Sequence, residues 1–289
     1  MTRLPAAEIR RAVRQGLEED LGQGDVTTTA LFSKPIPARA EIVAQQPLVV
    51  AGLAAAVQTF LAVDPTLTLT VFRRDGEQAK NGESILRIAG DGRSILQAER
   101  VALNFLQHLS GIATLTHRFC RAVKGRSVNI MDTRKTLPGW RAIQKWAVAL
   151  GGGITHRMSL GDGVLIKDNH LALLRLGRQA VRTACRLAKA HAPRTMPIIV
   201  EAELLSEVRQ AIAGKADIIL LDNMTPSMVR QAVALIKNRA LIEVSGGITI
   251  KNVRAMAAPG IDRISIGALT HSAPAAALSL VMTPTDRQR

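Results

Sequence analysis

Cationic side chains and glycines are concentrated between residues 132 and 170. The stretch DTRKTLPGWR at 132–141 is followed by the glycines of 151–153, by His156-Arg157 and by KDNH at 167–170. The arginines, lysines and histidines of this segment lie beside turn residues rather than at helical spacing. Fixed cations and backbone N–H donors are what a site for a small polyanion needs. The sequence therefore predicts a pocket that binds a polyanionic small molecule.

Repeated βα units are the elements that must position these residues. From about residue 127, short apolar runs alternate with segments that carry apolar residues at helical spacing, which favours a parallel sheet. The predicted strands are 127–131, 163–166, 197–200, 217–221, 240–244 and 262–266, and the predicted helices include 171–191, 203–213 and 227–238. Six such units are fewer than the eight of a closed barrel, so the pattern predicts an open or incomplete α/β barrel.

Each predicted strand ends at a polar residue or a glycine that is unusual for a protein core. These residues are Asp132, Lys167, Glu201, Asp222, Ser245 and Gly267. In barrel enzymes the carboxyl ends of the strands form the face that carries the active site. We therefore expect these positions to belong to one site.

The first part of the chain has a different pattern. Residues 7–20 predict an amphipathic helix that ends at LGQG, and strands are predicted over 38–44, 66–72 and 84–88. Runs of strands before a βα series favour a separate α+β domain. A long helix from about residue 94, interrupted at Gly111, leads into the barrel. The predicted domains are an N-terminal sandwich over 1–112 and a barrel over 113–272, with a tail over 273–289 that can pack back on the sandwich.

Length and composition allow one large core or two moderate ones. The chain has 289 residues, 47% of them hydrophobic, and with 2% aromatic residues its core must consist mainly of aliphatic side chains. Cys120 and Cys185 match neither a metal-binding spacing nor a disulfide framework, which favours a reducing compartment. No apolar run reaches the roughly 18 residues of a membrane helix, and no signal-peptide pattern is present. We therefore expect a cytoplasmic protein.

The formal charge of +15 raises the question of nucleic-acid binding. No known nucleic-acid motif is present, the aromatic residues that could stack on bases are few, and the lysines and arginines are spread along the chain. Attraction of small anionic substrates accounts for the same charge. We therefore expect neither a nucleic acid nor a membrane as a partner.

Seven separate motifs resemble those of the quinolinate phosphoribosyltransferase family. They are LEEDLGQGDVTT at 17–28, ERVALNFL at 99–106, DTRKTLPGWR at 132–141, the stretch 151–170, LDNM at 221–224, EVSGGI at 243–248 and SIGALTH at 265–271. Members of this family join quinolinate to phosphoribosyl pyrophosphate, with loss of CO₂, to give nicotinate mononucleotide for NAD biosynthesis. The resemblance implies the family's fold, an N-terminal α/β sandwich with an incomplete α/β barrel of the type II phosphoribosyltransferases.

The resemblance also implies which residues bind quinolinate, a pyridine with two adjacent carboxylates. The implied residues are Arg100, Thr133, Arg134, His156, Arg157 and Lys167. The planar fork of arginine suits a planar dianion better than the point charge of lysine does. In similar enzymes the arginine that matches Arg100 reaches into the barrel of a partner subunit. The resemblance therefore implies a two-fold homodimer with shared active sites, and a larger assembly stays open.

A second set of residues is implied for phosphoribosyl pyrophosphate. It comprises Lys135, Glu201, Asp222, Ser245, Gly246, Gly247, Gly267, Ala268 and His271, with Lys135, Glu201 and Asp222 as the expected catalytic residues. Magnesium typically takes one or two protein carboxylates together with substrate phosphates and water. We therefore expect Mg²⁺ at Glu201 and Asp222, held in part through substrate and water. For Glu203 we favour a role at a helix N terminus.

Three other functions stay open at this point. Lys167 or Lys135 could form a Schiff base in a barrel lyase or aldolase. The chain could also be a basic binding protein without enzymatic activity, or a related transferase such as the molybdate-associated homologues. The joint presence of Arg134, Arg157 and Lys167 favours quinolinate as the substrate.

Overall fold

The computed structural model describes residues 4–175 and 177–285. The helices are α1 (Ala6–Leu21), α2 (Val26–Leu31), α3 (Leu53–Val63), α4 (Gly92–Ala122), α5 (Arg141–Leu150), α6 (Asp168–Leu174), α7 (Ala180–His191), α8 (Leu205–Ala213), α9 (Pro226–Ile236), α10 (Val253–Met256) and α11 (Ala268–His271). The strands are β1 (Pro37–Ala44), β2 (Leu48–Val49), β3 (Thr68–Val71), β4 (Gln78–Ala79), β5 (Ser84–Asp91), β6 (Asn129–Met131), β7 (Val164–Ile166), β8 (Ile198–Ala202), β9 (Ile218–Asp222), β10 (Leu241–Ser245), β11 (Arg263–Ser265) and β12 (Leu278–Pro284). None of the helices in this part of the chain combines the length and the apolar character needed to cross a lipid bilayer.

The chain forms two compact units. The first falls within Met1–His117, Thr136–Gly152 and Ala268–Arg289. It contains a four-stranded antiparallel sheet with the order β12-β1-β5-β3, in which β12 pairs with β1 along its whole length. The predicted boundary at residue 112 lies inside α4, and the end of the predicted tail, 286–289, lies outside the described residues.

Aliphatic side chains form the core of this first unit. Residues of β1 alternate between exposed and buried, as expected for a strand with one face on the core. Ile42 of β1 and Ile88 of β5 lie in one apolar cluster with Phe60 of α3 and Leu106 of α4. The cluster therefore joins one face of the sheet to two helices.

Helix α4 continues through Gly111, so the interruption predicted at this residue is wrong. A Cβ atom added at Gly111 would lie 2.2 Å from the carbonyl oxygen of Pro274. The N–H of Ala276 donates to the carbonyl of Gln107 in the same helix, at 2.8 Å. Gly111 therefore allows the backbone at 274–276 to approach the helix closely, and it does not end the helix.

The second unit comprises Arg118–Lys135 and Gly153–Gly267 and contains a six-stranded parallel sheet. The strand order is β6-β11-β10-β9-β8-β7, and every adjacent pair is parallel. Beyond β6, Ile154 forms a single parallel bridge to Met131. Among the described residues no pairing joins β6 to β7, so the barrel is open. The predicted α/β fold, an N-terminal sheet domain with an open barrel, is confirmed.

All six predicted barrel strands are present, with ends that differ by no more than two residues from the predicted ends. The helix predicted over 171–191 is divided instead into α6 and α7, with a short 3₁₀ turn before α7. Arg175, which ends α6, adopts a left-handed conformation with φ of 50°, and Gly177 has φ of 59°. Left-handed residues cannot continue a right-handed helix, which explains the division.

Candidate active site

A cavity of about 300 Å³ lies at the carboxyl edge of the parallel sheet. Nine predicted site residues line it: Thr133, Arg134, Lys135, His156, Arg157, Lys167, Glu201, Asp222 and Ser245. Leu165, Leu220, Glu243 and Ser265 complete the lining. Strands that run in parallel end at the same edge, which is why residues far apart in the sequence meet here.

The other predicted site residues do not line this cavity. Gly246 and Gly247 follow β10 directly, Gly267 follows β11, and all three belong to the second unit. Arg100 on α4, together with Ala268 and His271 at the two ends of α11, belongs to the first unit.

Two guanidinium groups dominate the cationic part of the cavity. Arg157 donates through Nη1 to the carbonyl of Gly163 at 2.8 Å. Burial lowers the pKa of Arg157, and the positive charge of Arg134 lowers it further, while the charges of Asp162 and Glu243 act in the opposite direction. A dianion bound beside Arg134 and Arg157 would offset their mutual repulsion, which makes this part of the cavity suited to a dicarboxylate.

His156 is fixed on several sides. Its backbone N–H donates to Oδ1 of the buried Asp132 at 2.7 Å, and its Nδ1 accepts the backbone N–H of Arg157 at 2.8 Å. A neutral imidazole that accepts at Nδ1 carries its proton on Nε2. Nε2 lies 3.3 Å from the carboxylate of Glu243, which is fully buried. Both ring nitrogens of His156 thus have partners in the protein, and the ring holds the start of the Arg157 segment in place.

Glu243 is a cavity residue to which the sequence motifs assign no role. It lies inside β10, opposite Arg263 of β11 in the parallel register, with Arg263 Nε 3.8 Å from its Oε2. Charged residues are almost never fully buried unless they are paired. A glutamate between Ile242 and Val244 in an apolar strand is the signal that could have identified it.

An ion pair joins the two predicted groups of substrate residues. Lys167 Nζ lies 2.7 Å from Glu201 Oε2, and the side chains of Lys167 and Glu201 are 46% and 11% exposed. The resemblance implies that Lys167 binds quinolinate and that Glu201 serves phosphoribosyl pyrophosphate. In this structure each residue is therefore the other's partner.

Three carboxylates are clustered beside the ion pair. Oxygen atoms of Glu201, Glu203 and Asp222 lie within 4.8 Å of one another. Carboxylate oxygens are the ligands that Mg²⁺ prefers, so the donor set fits this cation. The acid in the first turn of α8 is Glu207, whose carboxylate accepts the N–H groups of Glu203 and Leu204. The predicted role of Glu203 at the helix N terminus is therefore filled by Glu207.

Two turns of the second unit have defined local structure. After β6, the hydroxyl of Thr133 accepts the backbone N–H of Lys135 at 3.0 Å. After β10, Gly246 and Gly247 have φ values of 81° and 60°, a region that L side chains rarely adopt. Asn252 donates to the carbonyl of Gly247 at 2.8 Å and accepts the N–H of Thr249 at 2.8 Å, which closes the second turn.

Fold and site together define a class: an open parallel α/β barrel that gathers arginines, lysines and carboxylates at its carboxyl edge to receive small anions. The family model for the N-terminal domain of quinolinate phosphoribosyl transferase matches residues 25–110, and the model for its C-terminal domain matches residues 112–281. The chain therefore belongs to the quinolinate phosphoribosyltransferase family.

Similar proteins have comparable lengths. A probable nicotinate-nucleotide pyrophosphorylase (carboxylating) from Bacillus subtilis is 37% identical over 276 residues, which cover 96% of this chain and 94% of that protein. The nicotinate-nucleotide pyrophosphorylase (carboxylating) of Mycobacterium leprae is 39% identical over 91% of this chain and 93% of its own. The structure of the nicotinate-nucleotide pyrophosphorylase from Francisella tularensis superposes with a TM-score of 0.89 at 35% identity and covers 98% of both chains.

Proposed function

We propose that this protein transfers the phosphoribosyl group of phosphoribosyl pyrophosphate to quinolinate, with decarboxylation, and releases nicotinate mononucleotide, pyrophosphate and CO₂ for NAD biosynthesis. The observation that carries the proposal is the meeting of Arg134, Arg157 and Lys167 with Glu201 and Asp222 in one cavity. Family membership supports the same reaction. It therefore favours this reaction over the two alternatives, a Schiff-base lyase or aldolase and a basic binding protein without enzymatic activity.

The cationic side of the cavity suits quinolinate. Arg134 and Arg157 can each offer a planar pair of donors to one carboxylate, and Lys167 adds a third positive charge. His156 contributes by holding the Arg157 backbone, because its own ring nitrogens are bound by Arg157 N–H and Glu243. We therefore assign His156 and Glu243 a positioning role in quinolinate binding.

The carboxylate side suits the ribose and the cation. Glu201 and Asp222, with Glu203 beside them, would hold Mg²⁺, which when bound neutralises pyrophosphate charge. As the bond between C1′ and the pyrophosphate oxygen breaks, positive charge develops on the ribose, and nearby carboxylates stabilise it. Lys135 lines the same cavity and is placed by its N–H bond to Thr133, so its ammonium can stabilise the departing pyrophosphate. The turn at Gly246-Gly247 would receive the 5′-phosphate through backbone N–H groups, with Ser245 and Gly267 of the same unit as further contacts.

The reaction needs no side-chain nucleophile. The pyridine nitrogen forms the bond to C1′ while pyrophosphate leaves with the electron pair of the broken bond. The bond from C2 to its carboxylate then breaks, CO₂ leaves, and the electron pair stays at C2 next to the pyridinium nitrogen until C2 takes up a proton. The protein contributes mainly by orienting the two substrates and by stabilising charge.

A homodimer with shared sites forms a further part of the proposal. Arg100 is exposed on α4, so its guanidinium is accessible to a second copy of the chain. A two-fold axis would make such an exchange reciprocal. A cytoplasmic location is proposed as well, since Cys120 and Cys185 are both free thiols.

One assay tests the function. The protein is incubated with quinolinate, phosphoribosyl pyrophosphate and Mg²⁺, and nicotinate mononucleotide and CO₂ are quantified. We expect the two products in equal amounts, and no reaction when benzene-1,2-dicarboxylate, which lacks the ring nitrogen, replaces quinolinate. Turnover of nicotinate but not of quinolinate would overturn the proposal.

A further inference from the structure

Asn223 connects Asp222 to the strand and turn next to it. Its side-chain Nδ2 donates to Oδ2 of Asp222 at 2.7 Å, and its backbone N–H donates to the carbonyl of Ser245 at 3.1 Å. Its φ is 52°, in the left-handed region, where asparagine is among the few non-glycine residues that occur regularly. The backbone conformation and both hydrogen bonds therefore favour asparagine at this position.

The same side chain contacts Gly246, the first residue of the turn after β10. A Cβ atom added at Gly246 would lie 2.2 Å from Oδ1, 2.6 Å from Cγ and 2.7 Å from the backbone nitrogen of Asn223. Real Cβ atoms do not come so close to other atoms, so Gly246 must lack a side chain as long as Asn223 occupies this place. The side-chain amide of Asn223 thus donates a hydrogen bond to Asp222 through its nitrogen and packs on Gly246 with its oxygen.

We propose that Asn223 is a positioning residue for the phosphoribosyl pyrophosphate half of the site. By holding one oxygen of Asp222, it limits rotation of the carboxylate and leaves the second oxygen for Mg²⁺ and the ribose. Its contact with Gly246 fixes the distance between that carboxylate and the turn that receives the 5′-phosphate. The inference rests on the proposed function, because the role of Asp222 belongs to it.

Asn223→Gly tests the proposal, because glycine adopts the same positive φ without strain and removes only the side chain. The matched control is Asn238→Gly, since Asn238 has a similar φ of 58°, is exposed after α9, and does not line the cavity. Asn223 is exposed, so water competes for this hydrogen bond, and its loss corresponds to a change of about threefold to tenfold rather than to that of a buried charge-assisted bond. We expect kcat of Asn223→Gly to fall by that factor and the Mg²⁺ concentration for half-maximal activity to rise by a similar one.

Calorimetry separates positioning from loss of structure. In Asn223→Gly, the Kd of phosphoribosyl pyrophosphate with Mg²⁺ should increase, while the Kd of benzene-1,2-dicarboxylate should match that of Asn238→Gly. Asn223→Asp keeps the size and the tolerance of positive φ but replaces the donor with a second carboxylate beside Asp222. We expect its activity to be lower than that of Asn223→Gly.

Four results would contradict the proposal. Wild-type activity of Asn223→Asp would show that the amide donor is not needed. Equal losses of affinity for the two ligands in Asn223→Gly would indicate a general structural role. If wild-type protein and Asn238→Gly both fail to convert quinolinate, the proposed function is refuted, and this inference is refuted with it. If every variant keeps full activity, only the inference about Asn223 is refuted.

Discussion

Replacement of Glu201 by glutamine should change the affinities for the two substrates in opposite directions. Lys167 Nζ lies 2.7 Å from Oε2 of Glu201. The dicarboxylate substrate, which is expected to bind Lys167, must displace the carboxylate of Glu201 from it. In Glu201→Gln, no carboxylate of residue 201 competes for the Lys167 ammonium. The dicarboxylate should therefore bind more tightly to the variant. Phosphoribosyl pyrophosphate with Mg²⁺ should bind more weakly, since a proposed ligand of the cation is lost.

The expected size follows from the exposure of the pair. With the Lys167 side chain 46% exposed, solvent screens the attraction, and such pairs contribute about 0.5–1 kcal/mol. Removal of this competition corresponds to a dicarboxylate affinity that is roughly two- to fivefold higher. Loss of negative charge anywhere in the cavity also favours an anion, so this general effect has to be measured separately.

Asp222→Asn supplies that measurement. Asp222 lines the same cavity, and the side-chain partner seen for it is Asn223 rather than Lys167. Calorimetric titration with benzene-1,2-dicarboxylate at two salt concentrations should show a larger gain for Glu201→Gln than for Asp222→Asn. The difference should become smaller as salt increases. Equal gains in the two variants, or a loss in Glu201→Gln, would refute the idea that the ion pair competes with the substrate.

Three further predictions concern other parts of the molecule. Arg157→Ala should weaken dicarboxylate binding by about tenfold to a hundredfold, the value of a charge-assisted hydrogen bond, and should weaken phosphoribosyl pyrophosphate binding much less. Equal losses of affinity for the two ligands in calorimetry would contradict the assignment of Arg157 to quinolinate. Arg100→Ala and Lys135→Ala should each be nearly inactive, but co-refolding of the two variants should restore close to half of wild-type activity per mixed dimer. Confirmed mixed dimers without activity would show that Arg100 does not act in trans. Although alanine has the better helix propensity, Gly111→Ala should lower the free energy of unfolding by about 1–3 kcal/mol, because the methyl group would collide with the Pro274 carbonyl. An unchanged Tm would be evidence against the close approach of the backbone to the helix.

Much of the second unit could be predicted because its signals are local. Each barrel strand is a short apolar run bounded by polar or glycine residues, and that pattern alone locates β6 to β11 within one or two residues. The first unit depends more on distant pairing. Strand β12 was not predicted, since what makes it a strand is its pairing with β1. The role of Gly111 was predicted wrongly for a related reason. It allows a close approach of the Pro274 backbone, and no local sequence pattern indicates that contact.

The candidate site shows the same limits. Residues at strand ends could be assigned to one edge because the topology of parallel sheets brings those ends together. Their partners could not be assigned in this way. Glu243 lies inside a strand, and its relation to His156 depends on the packing of two separate elements. The pairing of Lys167 with Glu201 likewise joins residues that the motifs place in different substrate groups.

The pairing of β12 with β1 has a consequence for synthesis on the ribosome. The strand that covers one edge of β1 is translated only after the whole segment that forms the open barrel. Until then, β1 has a free row of backbone donors and acceptors, the kind of edge at which nascent chains pair with one another. The segment that forms the barrel is complete at Gly267, whereas the sheet of the first unit still lacks its edge strand at that point. Chaperone binding to newly synthesised chains should therefore decline only once β12 has paired with β1.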